Sequence, residues 1–312
     1  MKIAFLFPGQ GSQYVGMGRD LYQNFDSAKR TFEEADEILG INLSDIIFTG
    51  PVEELNSTEI CQPAILAVSI AAYRVMEAEY GIAPIVLAGH SLGEYSALVI
   101  AGVFSFGDGL LLVKKRARFM LESSRRYPGK MLAVIGVPLE RIAEICRKAQ
   151  SSGLVKIANI NSPEQVVVSG EIKGVEKFIE YFRDDALGKI IPLKVSGPFH
   201  TALMEDAGKK LAVELERIEV KKTKIPLISN STAREVKEPE EIKNALIAQV
   251  AHPVLWLETM DEMKRKKIEL FLEIGPKRVL SKLLKRDNPD LSVANVEDRE
   301  SLKKIKEALK CD

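Results

Sequence analysis

The stretch Ile85-Val86-Leu87-Ala88-Gly89-His90-Ser91-Leu92-Gly93-Glu94-Tyr95 decides how this chain is read. Its four apolar residues make a short buried strand, and the alanine- and leucine-rich run after Gly93 has a helical pattern. Between them, Gly89-x-Ser91-x-Gly93 must turn the chain sharply. A strand, a Gly-x-Ser-x-Gly turn and a helix form the context in which a serine nucleophile is presented at the top of a sheet. Both glycines suit a place where strand and helix nearly touch. The helix N-terminus would also aim backbone N–H groups and its positive dipole end at an oxyanion. Serine is a good N-cap as well, so the turn alone leaves a purely structural role open.

The same grammar extends outward. Residues 2–7 read as a buried strand, followed by a Gly-rich loop at 8–18 and helical patterns at 19–40 and 60–80. The second pattern contains Pro63-Ala64-Ile65-Leu66-Ala67-Val68, apolar nearly all round, and predicts a helix buried in a large core. Strand, turn and helix in alternation predict an α/β domain with a parallel sheet. From 127 the order changes to strand 131–137, helix 139–150, strands 155–160 and 165–169, helix 172–183 and strand 189–195. That βαββαβ order is ferredoxin-like and can close as a unit of its own. Tyr127-Pro128-Gly129 and Ser196-Gly197-Pro198 mark its entry and exit. The expected organisation is a large α/β domain from 1–126 and 196–312, with an inserted ferredoxin-like α+β subdomain at 127–195. The returning chain reads as a helix at 201–215, a strand at 225–229, helices at 240–250 and 254–266, a strand at 270–274 and a helix at 300–309.

Bulk composition narrows the function. A chain of 312 residues with 46% hydrophobic and 28% charged residues is globular, and long enough for one large domain with an insertion or for two domains. Lysine plus arginine balances aspartate plus glutamate at 44 each, which gives no reason to expect nucleic acid or an anionic membrane as partner. Cys61, Cys146 and Cys311 are widely spaced, match no metal-ligand spacing and point to a reducing compartment. No run reaches the roughly 18 consecutive apolar residues of a membrane span. The start from Met1 to Phe7 has the look of a signal peptide, but Pro8-Gly9-Gln10-Gly11 cuts it short. The expected compartment is the cytoplasm, with no membrane partner and a monomeric chain.

A serine nucleophile needs a base, and the chain has three histidines. His90 leaves the turn in another direction from Ser91, and His252, before Pro253, reads as a helix-terminus residue. His200, in the loop Gly197-Pro198-Phe199-His200-Thr201, remains as the base. No acid offers itself as a third member. The nearest, Asp184 and Asp185, fall in the inserted segment, so a backbone carbonyl or an amide would have to orient the imidazole.

Arg116 is out of place. On the helix through residues 110–121, Lys114, Lys115 and Arg118 share a polar arc, whereas Arg116 falls among Leu112, Val113 and Met120. A guanidinium aimed at a core needs an anion, which is either a protein carboxylate or a carboxylate of the substrate. In the opening loop, Gly9-Gln10-Gly11-Ser12-Gln13 lacks the third glycine of a dinucleotide fingerprint and is as well suited to giving an N–H to an oxyanion.

Taken together, these residues resemble the malonyl-coenzyme A:acyl carrier protein transacylases of fatty acid synthesis over nearly the whole chain. The resemblance is carried by Phe7-Pro8-Gly9-Gln10-Gly11-Ser12-Gln13, Gln62-Pro63-Ala64, the Ser91 turn, Arg116, Asn159-x-Asn161, Phe199-His200, and Gln249 before Pro253-Val254-x-Trp256. Thr201 stands where serine is more usual in that family. The resemblance implies a hydrolase-like fold in which Ser91 takes the malonyl group as an ester and His200 is base, then acid. It implies oxyanion-hole N–H groups from Leu92 and Gln10, and Arg116 as the receptor for the malonyl carboxylate. It further implies that the Gln249 segment orients His200 by a backbone carbonyl, and that Phe199 belongs with malonyl rather than branched methylmalonyl selection. Malonyl-coenzyme A and acyl carrier protein would be the partners. No metal or redox cofactor is expected, since the coenzyme A thioester is itself the substrate. A serine hydrolase and a non-catalytic carrier-protein docking module are the rival readings.

Overall fold

The apolar runs at the two ends of the chain meet as neighbouring strands. The computed structural model describes residues 1–185 and 188–309, without the side chains of residues 184 and 185. Asp184, Asp185 and Cys311, considered above, therefore lie outside the described side chains. The strands are β1 (Ile3–Phe7), β2 (Val86–Gly89), β3 (Gly129–Ile135), β4 (Val155–Ser162), β5 (Gln165–Glu171), β6 (Lys189–Pro192), β7 (Leu227–Ile228), β8 (Glu235–Val236), β9 (Val254–Leu255), β10 (Leu270–Ile274) and β11 (Val293–Val296).

The first sheet has the order β11-β10-β1-β2-β7-β8, parallel except for the short edge pair β7–β8. Every residue of β1, β2 and β10 is buried, because helices cover both faces of the sheet. The helix Thr58–Tyr80 is long and apolar enough to cross a membrane, yet most of it is buried inside the protein. It packs between the helices Asp26–Leu39 and Phe106–Arg126, and so holds Arg116 over the end of the sheet.

The second sheet has the order β6-β3-β5-β4-β9, with its first four strands antiparallel. Leu139–Ala149 and Ile172–Asp185 complete the βαββαβ order, and a separate apolar cluster of Leu132, Val134, Ile142, Val168 and Phe178 fills the space beneath them. The fifth strand, β9, comes from the returning chain and pairs in parallel with β4, Asn159 opposite Val254. This corrects the helix expected from residue 254. Pro253 favours extended backbone around it, the Leu255 N–H donates to the Asn230 carbonyl, and the helix begins at Trp256.

Other boundaries move for local reasons. The single helix expected at 19–40 is two, Arg19–Asn24 and Asp26–Leu39, broken where Phe25 is extended at φ −136°. The strand expected to reach residue 195 stops at Pro192, and the one expected at 225–229 is the two-residue β7. Helix Val279–Asp287 and strand β11 have no counterpart in the sequence reading.

Candidate active site

Ser91 stands at the end of β2 with φ +50°, a backbone strain typical of a side chain held out for use. Packing enforces the turn. A Cβ on Gly89 would overlap the backbone of Gly93, and one on Gly93 would overlap the Phe7 carbonyl at the end of β1. The His90 N–H donates to that same carbonyl at 2.9 Å. Asn230 clamps the turn from the other side: its Oδ1 accepts from the Ser91 N–H at 2.6 Å, and its Nδ2 donates to the Gly89 carbonyl at 2.7 Å.

His200 is buried and also sits at positive φ, +59°. Its Nδ1 is 2.8 Å from the Gln249 carbonyl, which can only accept, so Nδ1 carries the proton. In the neutral ring Nε2 is then an acceptor, and the Ser91 hydroxyl lies 2.9 Å from it. Burial, and then the positive charge of Arg116, push the imidazole down to about 3. It is therefore neutral and ready to take a proton. Among the described residues no carboxylate bonds to it.

Arg116 is 1% exposed and forms no ion pair among the described residues. Its Nη1 donates to Gln62 Oε1 at 2.7 Å, and its Nη2 to Gln249 Oε1 at 2.9 Å and to Ser91 Oγ at 3.0 Å. Its charge lies over the Tyr95 ring, 5.2 Å from the centroid. Its Nε has no hydrogen-bond partner. Neutral acceptors thus hold the guanidinium in place without neutralising it.

These groups face a cavity of about 440 Å³. Gln10 and Leu92 line it beside Ser91, Phe199 forms part of an apolar wall with Met120 and Met131, and Asn159 and Asn161 add amides. Lys282 and Arg286 of the helix Val279–Asp287 also line it. The remaining histidines have other work. His90 donates to Asn161 Oδ1 at 2.9 Å and packs against Trp256, and His252 caps the helix Pro239–Ala251.

Sequence reasoning gave no role to three residues that build the site: Asn230, Gln62 and Glu94. Gln62 and Glu94 lie inside motifs quoted above. For Asn230 the signal was Ser229-Asn230-Ser231, polar residues directly after a short apolar strand.

Residues 4–308 match a family model described as an acyl transferase domain. The malonyl CoA-acyl carrier protein transacylase of Bacillus subtilis (strain 168) is 44% identical over 310 residues, covering 99% of this chain and 98% of that protein. The protein of the same name from Escherichia coli (strain K12) is 41% identical over 285 residues, covering 91% of this chain and 92% of that one. Among solved structures, an acyl carrier protein S-malonyltransferase from Vibrio cholerae superposes with a TM-score of 0.93 at 42% identity, covering 98% of this chain and 100% of the other. A malonyl-transacylase solved in complex with a type II polyketide acyl carrier protein gives 0.95 at 41% identity, covering 99% and 100%.

Proposed function

Because this chain belongs to the acyl transferase domain family, and within it to the malonyl CoA-acyl carrier protein transacylases, we propose that it moves a malonyl group from malonyl-coenzyme A to the phosphopantetheine thiol of acyl carrier protein. The product supplies fatty acid synthesis. One observation carries the residue-level reading: a buried, un-neutralised Arg116 with a free Nε lies 3.0 Å from the hydroxyl of Ser91. A carboxylate receptor beside a nucleophile suits an acyl group that bears its own carboxylate.

In the first half-reaction the Ser91 hydroxyl gives its proton to His200 Nε2 and its oxygen attacks the thioester carbonyl. The N–H groups of Leu92 and Gln10 receive the oxyanion. The Ser91 N–H is already taken by Asn230, and Leu92 caps the N-terminus of the helix Gly93–Ile100. Collapse breaks the carbon–sulfur bond, and His200 returns the proton to the departing coenzyme A sulfur. In the second half-reaction the carrier thiol gives its proton to His200 while its sulfur attacks the Ser91 ester. Ser91 leaves and takes the proton back. Throughout, the Gln249 carbonyl fixes Nδ1–H, so no third acid is required on the imidazole. Arg116 holds the malonyl carboxylate, and Phe199 limits branching beside it. The reaction needs no metal or redox cofactor and is assigned to a cytoplasmic monomer.

Incubation with malonyl-coenzyme A followed by peptide mass mapping tests this reading. A malonyl adduct on the Ser91 peptide is expected, discharged by acyl carrier protein; an unmodified Ser91 peptide would sink the covalent mechanism.

A further inference from the structure

Glu94, three residues after the nucleophile, is 1% exposed on the helix Gly93–Ile100, and the mechanism above makes no use of it. Its Oε2 accepts from the Gln249 side-chain Nε2 at 2.6 Å and from the Asn230 backbone N–H at 3.2 Å, and the Ser229 hydroxyl also bonds to the carboxyl. Two of these contacts lead to the chemistry in one step. The Gln249 carbonyl orients His200, its Oε1 holds Arg116, and its Nε2 also donates to the Ser91 carbonyl at 3.0 Å. Asn230 clamps the Ser91 N–H and the Gly89 carbonyl.

We propose that Glu94 is a positioning residue for the transfer reaction, whose ionised carboxylate sets Gln249 and Asn230 and thereby aligns Ser91, His200 and Arg116. This deepens the transacylase reading and rests on it. The amide of Gln249 lies between a guanidinium and a carboxylate, so only one orientation satisfies both: oxygen to Arg116, nitrogen to Glu94. Glu94 is thus joined to Arg116 through the Gln249 amide and makes no ion pair with the guanidinium. It stands where the acid of a serine–histidine pair would be looked for, but it bonds the side chain of Gln249, while the main-chain carbonyl of the same residue holds the imidazole.

Protonation would weaken the arrangement. A neutral carboxyl can still accept on Oε2 with its proton on the other oxygen, but the bonds from the Gln249 amide and the Asn230 N–H lose their charge assistance and hold those groups less firmly. Burial pushes this carboxyl up to about 7, against the pull of Gln249, Asn230, Ser229 and Arg116. The other titratable groups packed around it differ in direction. Burial holds His200 and His90 down and Tyr95 up, and Arg116 stays charged.

The test is the single-turnover rate of Ser91 malonylation by malonyl-coenzyme A between pH 5.5 and 8.5. The unmodified protein should show a rate that falls toward acid with a midpoint near 7. Glu94→Gln, of the same shape but uncharged, should acylate at least tenfold more slowly and lose that pH limb, while Glu94→Asp should keep the limb at a reduced rate. Ser229→Ala, which removes one hydrogen bond from the carboxylate, should move the midpoint to higher pH, and it keeps the question open to decision if Glu94→Gln does not fold. A Glu94→Gln protein acylating at the normal rate with its limb intact, or a Ser229→Ala midpoint that stays in place, overturns the proposal. Absence of any malonylation in the unmodified protein would instead strike at the transacylase reading itself.

Discussion

Arg116 Nη2 donates a hydrogen bond to Ser91 Oγ at 3.0 Å, so the proposed carboxylate receptor and the proposed nucleophile touch before any substrate arrives. A malonyl carboxylate bound by that guanidinium places its own thioester carbonyl two carbons away, within reach of the serine oxygen. Selectivity and proximity then come from one residue.

Arg116→Ala should therefore damage malonyl transfer far more than transfer of a neutral short acyl group. Losing one partner of a desolvated ion pair costs on the order of 2–5 kcal/mol, or about 30-fold to a few thousand-fold in kcat/KM. Acetyl-coenzyme A, with no carboxylate to place, should be used as well as before or better. The ratio of the two specificity constants is the measurement. An unchanged ratio means that the carboxylate binds elsewhere.

Asn230→Ala should weaken both the fold and the chemistry. It leaves the part-buried Ser91 N–H and the buried Gly89 carbonyl without their partner. A buried polar group left unsatisfied costs about 1–3 kcal/mol, so a loss of about 2 kcal/mol in urea denaturation is expected. Ser91 malonylation should slow as well, because the positive-φ turn loses its clamp. Normal acylation in a destabilised protein would limit Asn230 to a structural role.

The pH dependence of stability has two opposed contributions inside the site. His200 is pushed down from 6.5 to about 3, so the unfolded chain takes up its proton first, and stability is lost as pH falls from about 6.5 toward 3. Glu94 is raised from 4.5 to about 7, so its contribution is present in acid and lost as pH rises through about 7. Removing the imidazole isolates the first effect. The stability of the unmodified protein relative to His200→Asn should fall by up to ~1.4 kcal/mol per pH unit below 6.5. Urea denaturation of both proteins across pH 4.5–7 measures it, and a constant difference would mean that His200 is not held neutral by burial.

The sequence carried the architecture wherever a single period ran unbroken. β1, β2 and β10 are uniformly apolar because they are buried on both faces, and the βαββαβ segment reads correctly because its helices have one clean apolar stripe. It failed where tertiary contacts override local pattern. Val254-Leu255 has no strand period of its own and is extended because β4 and Asn230 offer it partners. Arg116 stood out because a charge in an apolar arc breaks a local rule, and the structure brings it to Ser91 from 25 residues away. Glu94 broke no such rule. On a short helix apolar on most sides, a lone carboxylate reads as a solvated residue until Gln249, 155 residues later, is seen to cover it.

Gly93→Ala should be the most damaging of the small substitutions. Its Cβ would overlap the Phe7 carbonyl, a backbone atom in a central strand with no side chain to swing aside. The helix Gly93–Ile100 must then back away from β1, at a cost of ~3 kcal/mol or more. Gly40→Ala is the control: it meets nothing within 4 Å but sits at φ +65°, so it should cost only about 1 kcal/mol of backbone strain. The distinction extends to activity. Gly40 closes a surface helix far along the chain from the turn, and its replacement should leave acylation unchanged. Displacing the helix after Ser91 shifts both the hydroxyl and the Leu92 N–H relative to His200, and a misplacement of about 1 Å is worth roughly 100-fold in rate. Single-turnover malonylation of the two variants separates these outcomes. Equal rates would mean that the turn tolerates separation of its strand and helix.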